Sequence, residues 1–122
     1  ELEQFPGDAR PKLDILYAST STKNLFCEFD TAWICAGGGD VARYLREYKD
    51  RCPVIHVKDM TKQSESGGPH FCPVGKGVLP WDEIFEAAEA AGVEWYVYEQ
   101  DECDGDPFDS LRISFDFLRN NL

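Results

Sequence analysis

The sequence is poor in positive charge. Its 122 residues include 12 lysines and arginines against 23 aspartates and glutamates, which gives a formal net charge of −11. A surface this negative repels phosphate backbones and anionic lipid headgroups. No apolar run approaches the roughly 18 to 20 residues of a membrane-spanning helix, and no basic segment followed by an apolar one opens the chain. We therefore expect small molecules as partners, rather than nucleic acid or a membrane.

The sequence also lacks any Cys-x-x-Cys pair. Its five cysteines are odd in number and widely scattered, which argues for free thiols in a reducing compartment such as the cytoplasm. Cys27 and Cys52 lie in or beside apolar runs, where a thiol usually serves as a small hydrophobic side chain. We expect both to be packing residues rather than reactive groups.

Apolar residues are plentiful enough for a folded domain. Hydrophobic residues make up 43% of the chain and aromatic residues 13%, so intrinsic disorder is a poor description. The chain opens with Glu1 and reaches a Pro-Gly turn at Pro6 and Gly7. This opening suggests a domain that begins partway through something larger.

Three short runs rich in β-branched and aromatic residues predict strands, at Leu25–Phe29, Pro53–Val57 and Trp95–Tyr98. Each run is nearly continuous in apolar character, which favours parallel strands that are covered on both faces. Between Asp59 and Pro80 lies a long connection rich in glycine. A span of that length without regular structure is usually a functional loop.

Apolar spacing and end signals predict four helices around these strands. We place them at Lys12 to about Ala18, at Asp40–Lys49 with Asp40 as the cap, from Trp81 to a stop at Gly92, and from Pro107 with Asp106 as the cap. Alternating strands and helices indicate parallel βα units with right-handed crossovers.

Polar residues stand at the carboxyl ends of the three predicted strands: Asp30, His56 and Glu99. Carboxyl ends of successive parallel strands share one edge of the sheet, so folding would bring these residues together. Two carboxylates and an imidazole suit Mn²⁺, Mg²⁺, Co²⁺ or Zn²⁺. The alternative is that His56 is a hydrogen-bonded core residue, Asp30 a turn residue, and Glu99 an ion-pair partner of Lys58.

Five local strings occur in a recognisable order: Phe29–Trp33, Ala36–Asp40, His56–Asp59, Val74–Gly77 leading to Trp81, and Tyr98–Asp101. Together they resemble sugar phosphate isomerases/epimerases of the xylose isomerase-like TIM-barrel superfamily. The resemblance runs from about residue 10 to the end and covers the C-terminal half of such a barrel.

The resemblance implies an α/β fold for residues 1–122, the C-terminal half of a (β/α)8 barrel with about three parallel strands and four helices. The N-terminal half would be absent from this chain. A half-barrel would need either self-association or a complementary N-terminal half to cover its open sheet. The resemblance also implies that Asp30, His56 and Glu99 hold a divalent metal, with a further ligand from an upstream strand.

The chemistry implied is proton transfer next to the carbonyl of a sugar or related polyol ketone, through an enediolate. Glu99 is the candidate catalytic acid/base as well as a metal ligand. Trp33 and Lys58 are the candidate substrate-binding residues: the Trp33 ring as a pocket wall, and Lys58 either orienting a substrate oxygen or balancing the charge of Asp59.

Two other functions stay open at this point. One is an inactive fragment, or a half-barrel that serves as a structural, oligomerising domain. Whether this chain alone is an enzyme therefore stays open. The other is a metal-dependent hydrolase like the apurinic endonucleases of the same barrel. That function needs a basic groove, and the charge of −11 weighs against it.

Overall fold

The computed structural model describes residues 2–61 and 68–122, so part of the predicted Asp59–Pro80 loop lies outside the described residues. Its elements are, in chain order, α1 (Lys12–Ala18), β1 (Glu28–Asp30), α2 (Thr31–Ala36), α3 (Val41–Glu47), β2 (Val54–Val57), β3 (Asp59–Thr61), β4 (His70–Cys72), α4 (Trp81–Ala91), β5 (Trp95–Tyr98) and α5 (Pro107–Asn121).

The main sheet has three parallel strands in the order β1-β2-β5. Asp30 of β1 lies opposite His56 of β2, and His56 lies opposite Val97 of β5. The prediction of a parallel sheet is confirmed, because each strand is joined to the next through at least one helix. All three strands therefore end at the same edge.

The two faces of this sheet differ in burial. On one face Phe29, Ile55 and Val57 are almost fully buried among the helices. Since side chains alternate along a strand, the other face carries His56, and on β5 it carries Trp95, which is 67% exposed. We call this second face the inner face, because it would line the interior of a closed barrel.

Capping residues mark the helix ends where the sequence predicted them. The side chain of Asp40 accepts a hydrogen bond from the Arg43 amide at the start of α3, and Asp106 accepts one from the Phe108 amide at the start of α5. Gly92 ends α4 in the left-handed conformation, at φ 81°, which glycine adopts without the steric cost of a Cβ.

Three features of the fold differ from prediction. β1 begins at Glu28 rather than at Leu25, because residues 25–27 do not pair with β2. The described residues contain five helices rather than four, since α2 was not predicted. β3 and β4 form a short antiparallel pair inside what was predicted as a loop without regular structure.

The carboxylate of Asp59, which is completely buried, organises the chain that follows this hairpin. Its Oδ2 accepts hydrogen bonds from the amides of Gly75 and Gly77, at 3.0 Å each, and from the Trp81 indole at 2.8 Å. Its Oδ1 accepts one from the amide of Met60 at 2.9 Å. A Cβ at residue 77 would collide with this carboxylate, which explains the glycine there.

The five cysteines are free thiols. Cys27 and Cys52 are each 1% exposed, and burial raises the pKa of both thiols, that of Cys52 to about 12. A thiol with so high a pKa stays protonated and unreactive at neutral pH. The structure thus supports the prediction that both are packing residues.

We predict that Asp59→Asn lowers the free energy of unfolding by about 3 kcal/mol, because the amide NH₂ group would face N–H donors that are left without an acceptor. Urea denaturation followed by circular dichroism measures this change. Asp116→Asn, at an exposed residue paired with Arg119, is the control and should shift stability by less than about 0.5 kcal/mol. Equal stability of the two variants would show that the Asp59 bonds do not hold the loop.

Candidate active site and metal centre

The structure brings Asp30, His56 and Glu99 together at the carboxyl edge of the main sheet. Each offers one ligand atom, and these atoms lie within 4.8 Å of one another. Nδ1 of His56 lies 2.6 Å from Oε2 of Glu99 and 3.8 Å from Oδ2 of Asp30. The contacts of the alternative are also present, since Glu99 lies 3.4 Å from Lys58 Nζ and Asp30 caps α2. Convergence therefore agrees with a metal site without excluding these ion-pair and capping roles.

Strand register accounts for this convergence. Asp30 is the last residue of β1 and pairs directly with His56 on β2. Glu99 follows β5 immediately, and its amide bonds the carbonyl of Val57 at 3.4 Å, which continues the parallel ladder by one residue. All three side chains therefore project from the same edge, towards the inner face.

Lys58 lies beside this trio and is almost completely buried, with 1% of its side chain exposed. Its Nζ is 2.9 Å from Asp101, 3.0 Å from Asp30 and 3.4 Å from Glu99. Burial alone would lower the pKa of Lys58, but hydrogen bonding and charge from Asp101 and Asp30 outweigh burial and raise it. Lys58 is therefore an ammonium ion that draws three carboxylates towards one point. Of the two roles considered for Lys58, an ion pair with Asp59 is not among its contacts in the described residues, which are with Asp30, Glu99 and Asp101.

Two aromatic rings cover the Lys58 ammonium. The ring centroid of Phe71, on β4, lies 5.2 Å from Nζ, and that of Trp33, on α2, lies 5.9 Å away. The two rings meet edge to face at 5.4 Å. This apolar cover lowers the local polarity and strengthens the ion pairs beneath it.

Asp30 joins the site to the helix that follows it. Its Oδ1 accepts a hydrogen bond from the Trp33 amide at 2.9 Å and so caps α2, while its Oδ2 faces Lys58 and His56. The buried Thr31 hydroxyl donates to the Lys58 carbonyl at 2.7 Å and accepts from the Lys58 amide at 2.9 Å. Trp33 is thus held in place by the same short segment that supplies Asp30.

Three residues near the site were missed from the sequence: Glu28, Phe71 and Asp101. Glu28 precedes Asp30 by two residues, and Asp101 follows Glu99 by two, so the alternation of side chains along a strand was a usable signal for both. Glu28 places Oε1 at 2.9 Å from Nε2 of His56. No local pattern marks Phe71, because its position depends on the pairing of β4 with β3.

Other polar groups of the long connection have different roles. His70 is half-exposed, with Nε2 at 3.1 Å from Asp104 on the surface. The amides of Gly75 and Gly77 donate to Asp59, so they do not form a cradle for a phosphate group.

The donor set fits a divalent cation by its chemistry. Two carboxylate oxygens and one imidazole nitrogen are ligands that Mn²⁺, Co²⁺ and Zn²⁺ accept, and the carboxylates also suit Mg²⁺. The ligand atoms are already gathered, and their excess negative charge favours a cation.

The chain is similar in sequence to curated proteins named inosose dehydratase. It is 29% identical over 125 residues to an inosose dehydratase of Geobacillus thermodenitrificans, a match that covers 88% of this chain and 42% of the relative. An inosose dehydratase of Lacticaseibacillus casei is 26% identical over 114 residues, covering 80% of this chain and 38% of the relative. The chain therefore spans about two fifths of the length of these curated relatives.

Solved structures show the same fold. Two sugar phosphate isomerase/epimerase structures from Parabacteroides distasonis superpose with TM-scores of 0.73 and 0.74, at 23% and 21% identity. They cover 88% and 95% of this chain, and 35% and 38% of theirs. A xylose isomerase domain protein from Alicyclobacillus acidocaldarius gives a TM-score of 0.67 at 15% identity, over 93% of this chain and 45% of its own.

No helix among the described residues is long and apolar enough to cross a membrane. The three-stranded parallel sheet with its helices is part of a TIM barrel, as expected from the motifs. The family described as Xylose isomerase-like TIM barrel matches residues 9–121, and the chain belongs to that family.

Proposed function

We propose that this chain supplies the metal-binding edge of an isomerase or epimerase that acts on sugars or related polyol ketones. The observation that carries the proposal is the convergence of Asp30, His56 and Glu99 at the carboxyl edge of the sheet, where barrel enzymes build their sites. The family and its sugar-metabolising relatives support the substrate class.

Asp30, His56 and Glu99 would hold the divalent cation. When bound, such a cation supplies electrostatic stabilisation of negative charge that develops on a carbonyl oxygen. Lys58 would keep Asp30 and Asp101 in place and limit the repulsion among the carboxylates. With 1% of its side chain exposed, Lys58 fits this positioning role better than direct contact with substrate.

Glu99 would exchange a proton with the carbon next to the substrate carbonyl, which converts the ketone to an enediolate. Its side chain is 41% exposed at the mouth of the site, so a substrate can reach it. Return of the proton to the other carbon gives an isomer, and return to the other face gives an epimer. Trp33 and Phe71 would form an apolar wall against the C–H face of the substrate.

The inosose dehydratase relatives favour a second reaction at the same site. Loss of water from a polyol ketone also begins with removal of a proton next to the carbonyl. The two reactions therefore share the step that we assign to Glu99 and differ in what leaves or returns afterwards. Product analysis distinguishes them.

Isothermal titration with MnCl₂, CoCl₂, ZnCl₂ and MgCl₂ tests the metal site. We expect one site per chain for at least one of these ions, and loss of that site in Asp30→Asn and in His56→Gln, since each removes one of three ligands. His70→Gln removes the other histidine, which lies outside the trio, and should leave binding unchanged. Binding that survives both ligand variants would contradict the assignment.

Exchange of substrate hydrogen with solvent tests the proton transfer. Protein saturated with Mn²⁺ in D₂O is mixed with ketohexoses, their phosphates and inososes, and deuterium next to the carbonyl is measured by mass spectrometry. We expect Glu99→Gln to slow exchange by about 10²- to 10⁴-fold, the usual contribution of a general base. Equal exchange by both proteins would exclude Glu99. Tight metal binding without any exchange would support a structural, non-catalytic domain instead.

We also propose that the strands of a complementary N-terminal half-barrel cover the inner face. Trp95 and Val97 are 67% and 43% exposed there. Within the described residues, β1 and β5 are edge strands of the main sheet. The matched relatives and structures are more than twice as long as this chain, which leaves room for the missing strands.

Fluorescence and sedimentation test which chain covers the inner face. For this chain alone we expect a monomer in which acrylamide quenches Trp95 readily, because no other strands cover the inner face. The difference between wild type and Trp95→Phe isolates the Trp95 signal from those of Trp33 and Trp81. A stable dimer in which Trp95 is protected from acrylamide would contradict the proposal and assign the face to a second copy.

A further inference from the structure

We propose that Glu28 is a positioning residue for His56: it accepts the Nε2 proton of the ring, and so leaves the Nδ1 lone pair for the cation. This inference rests on the metal site proposed above and adds to it a fourth residue, which does not touch the metal. Such a residue fixes both the orientation of the ring and the nitrogen that binds.

The placement of Glu28 follows from the strand. It opens β1 two residues before Asp30, so both side chains project to the inner face. His56 lies opposite Asp30 on the neighbouring strand, and Glu28 reaches it diagonally. The oxygen Oε1 of Glu28 lies 2.9 Å from Nε2, which is close enough for an N–H···O bond once the ring N–H points at the carboxylate.

The two ring nitrogens face different carboxylates. Nε2 faces Glu28, whereas Nδ1 faces Glu99 at 2.6 Å and Asp30 at 3.8 Å. A neutral imidazole has one N–H and one lone pair, and an ionised carboxylate can only accept a hydrogen bond. Glu99 and Asp30 are the proposed ligands of the cation, so a cation among them occupies the Nδ1 side and leaves the ring proton to Glu28.

Among the described residues, the side chain of Glu28 has few contacts that would explain its position other than that with His56. Glu28 is the first residue of the edge strand β1, on the amino side of the polar group formed by Asp30, His56 and Glu99, and level with Trp95 across the sheet. In the part of the chain that the structure describes, its ion-pair partner is His56. Its side chain is 55% exposed, and strands that cover the inner face would bury it together with the ring.

Nitrogen-15 NMR of the imidazole rings reads the tautomer directly. The chain has two histidines, and His70→Gln assigns the signals of His56. Spectra are recorded at about pH 8.5, above the ordinary titration range of imidazole, with ZnCl₂ as the diamagnetic probe. We expect protonated Nε2 and zinc-shifted Nδ1 in the wild type. Glu28→Leu should show a mixture of the two tautomers, whereas a merely structural residue would leave the tautomer unchanged.

Titration with ZnCl₂ gives the second readout. We expect Glu28→Leu to weaken binding by about 10- to 100-fold, the usual cost of losing such a partner. Glu28→Gln keeps an oxygen acceptor of the same length, so it should restore part of the loss. Glu94→Leu is the matched control, because it removes an exposed acidic residue at the opposite end of the sheet and should leave binding unchanged.

The outcomes separate this inference from the proposed function. If the wild type binds zinc, and Glu28→Leu binds it as tightly with the same tautomer, the role of Glu28 is overturned and the metal site stands. If the wild type binds no zinc and none of the other ions, the metal site itself fails. Circular dichroism of Glu28→Leu checks its fold. If the leucine variant unfolds, the tautomer and the zinc affinity are measured on Glu28→Gln instead.

Discussion

The site depends on one buried cation of the protein itself. Asp30, Glu99 and Asp101 come from two different strand ends, and three carboxylates this close would repel one another in an apolar setting. The Lys58 ammonium lies within 3.4 Å of all three and makes their approach favourable. Because Phe71 and Trp33 keep water away from it, each of these ion pairs is stronger than it would be on the surface.

The same few residues contribute both to the fold and to the candidate site. Asp30 uses one oxygen to cap α2 and the other to face the site, so the helix that carries Trp33 starts where the site begins. Lys58 and Asp59 are neighbours in the chain with separate partners. The Lys58 ammonium contacts the carboxylates of the site, whereas the Asp59 carboxylate holds the chain from Gly75 to Trp81. Because the two residues are adjacent in the chain, the effects of changing both need not add.

Local signals in the sequence were sufficient for the helices with clear caps and for β5. Asp40, Asp106 and Gly92 mark their helix ends by side-chain chemistry that acts over one turn. The short helix α2 was missed because its six residues include Thr31, Ile34 and Cys35, which are weak helix formers. It is held by the Asp30 cap together with the Thr31 bonds to Lys58, and the latter are contacts between residues far apart in the chain.

The convergence of Asp30, His56 and Glu99 was predictable, because the residues that follow neighbouring parallel strands lie at one edge of the sheet. The surroundings of the trio were harder to predict. Glu28 and Asp101 obey the same alternation as Asp30 and Glu99, but a charged residue near a strand end is usually solvated, so the pattern alone gave no reason to select them. Phe71 reaches Lys58 only through the β3–β4 pair, whose formation involves residues far apart along the chain.

The bonds of Asp59 bear on how this family can diversify. The segment from Gly75 to Trp81 is fastened to a single carboxylate by two glycine amides and one indole, with no space for a larger residue at position 77. A graft of this segment from another barrel would have to bring a compatible glycine and tryptophan with it.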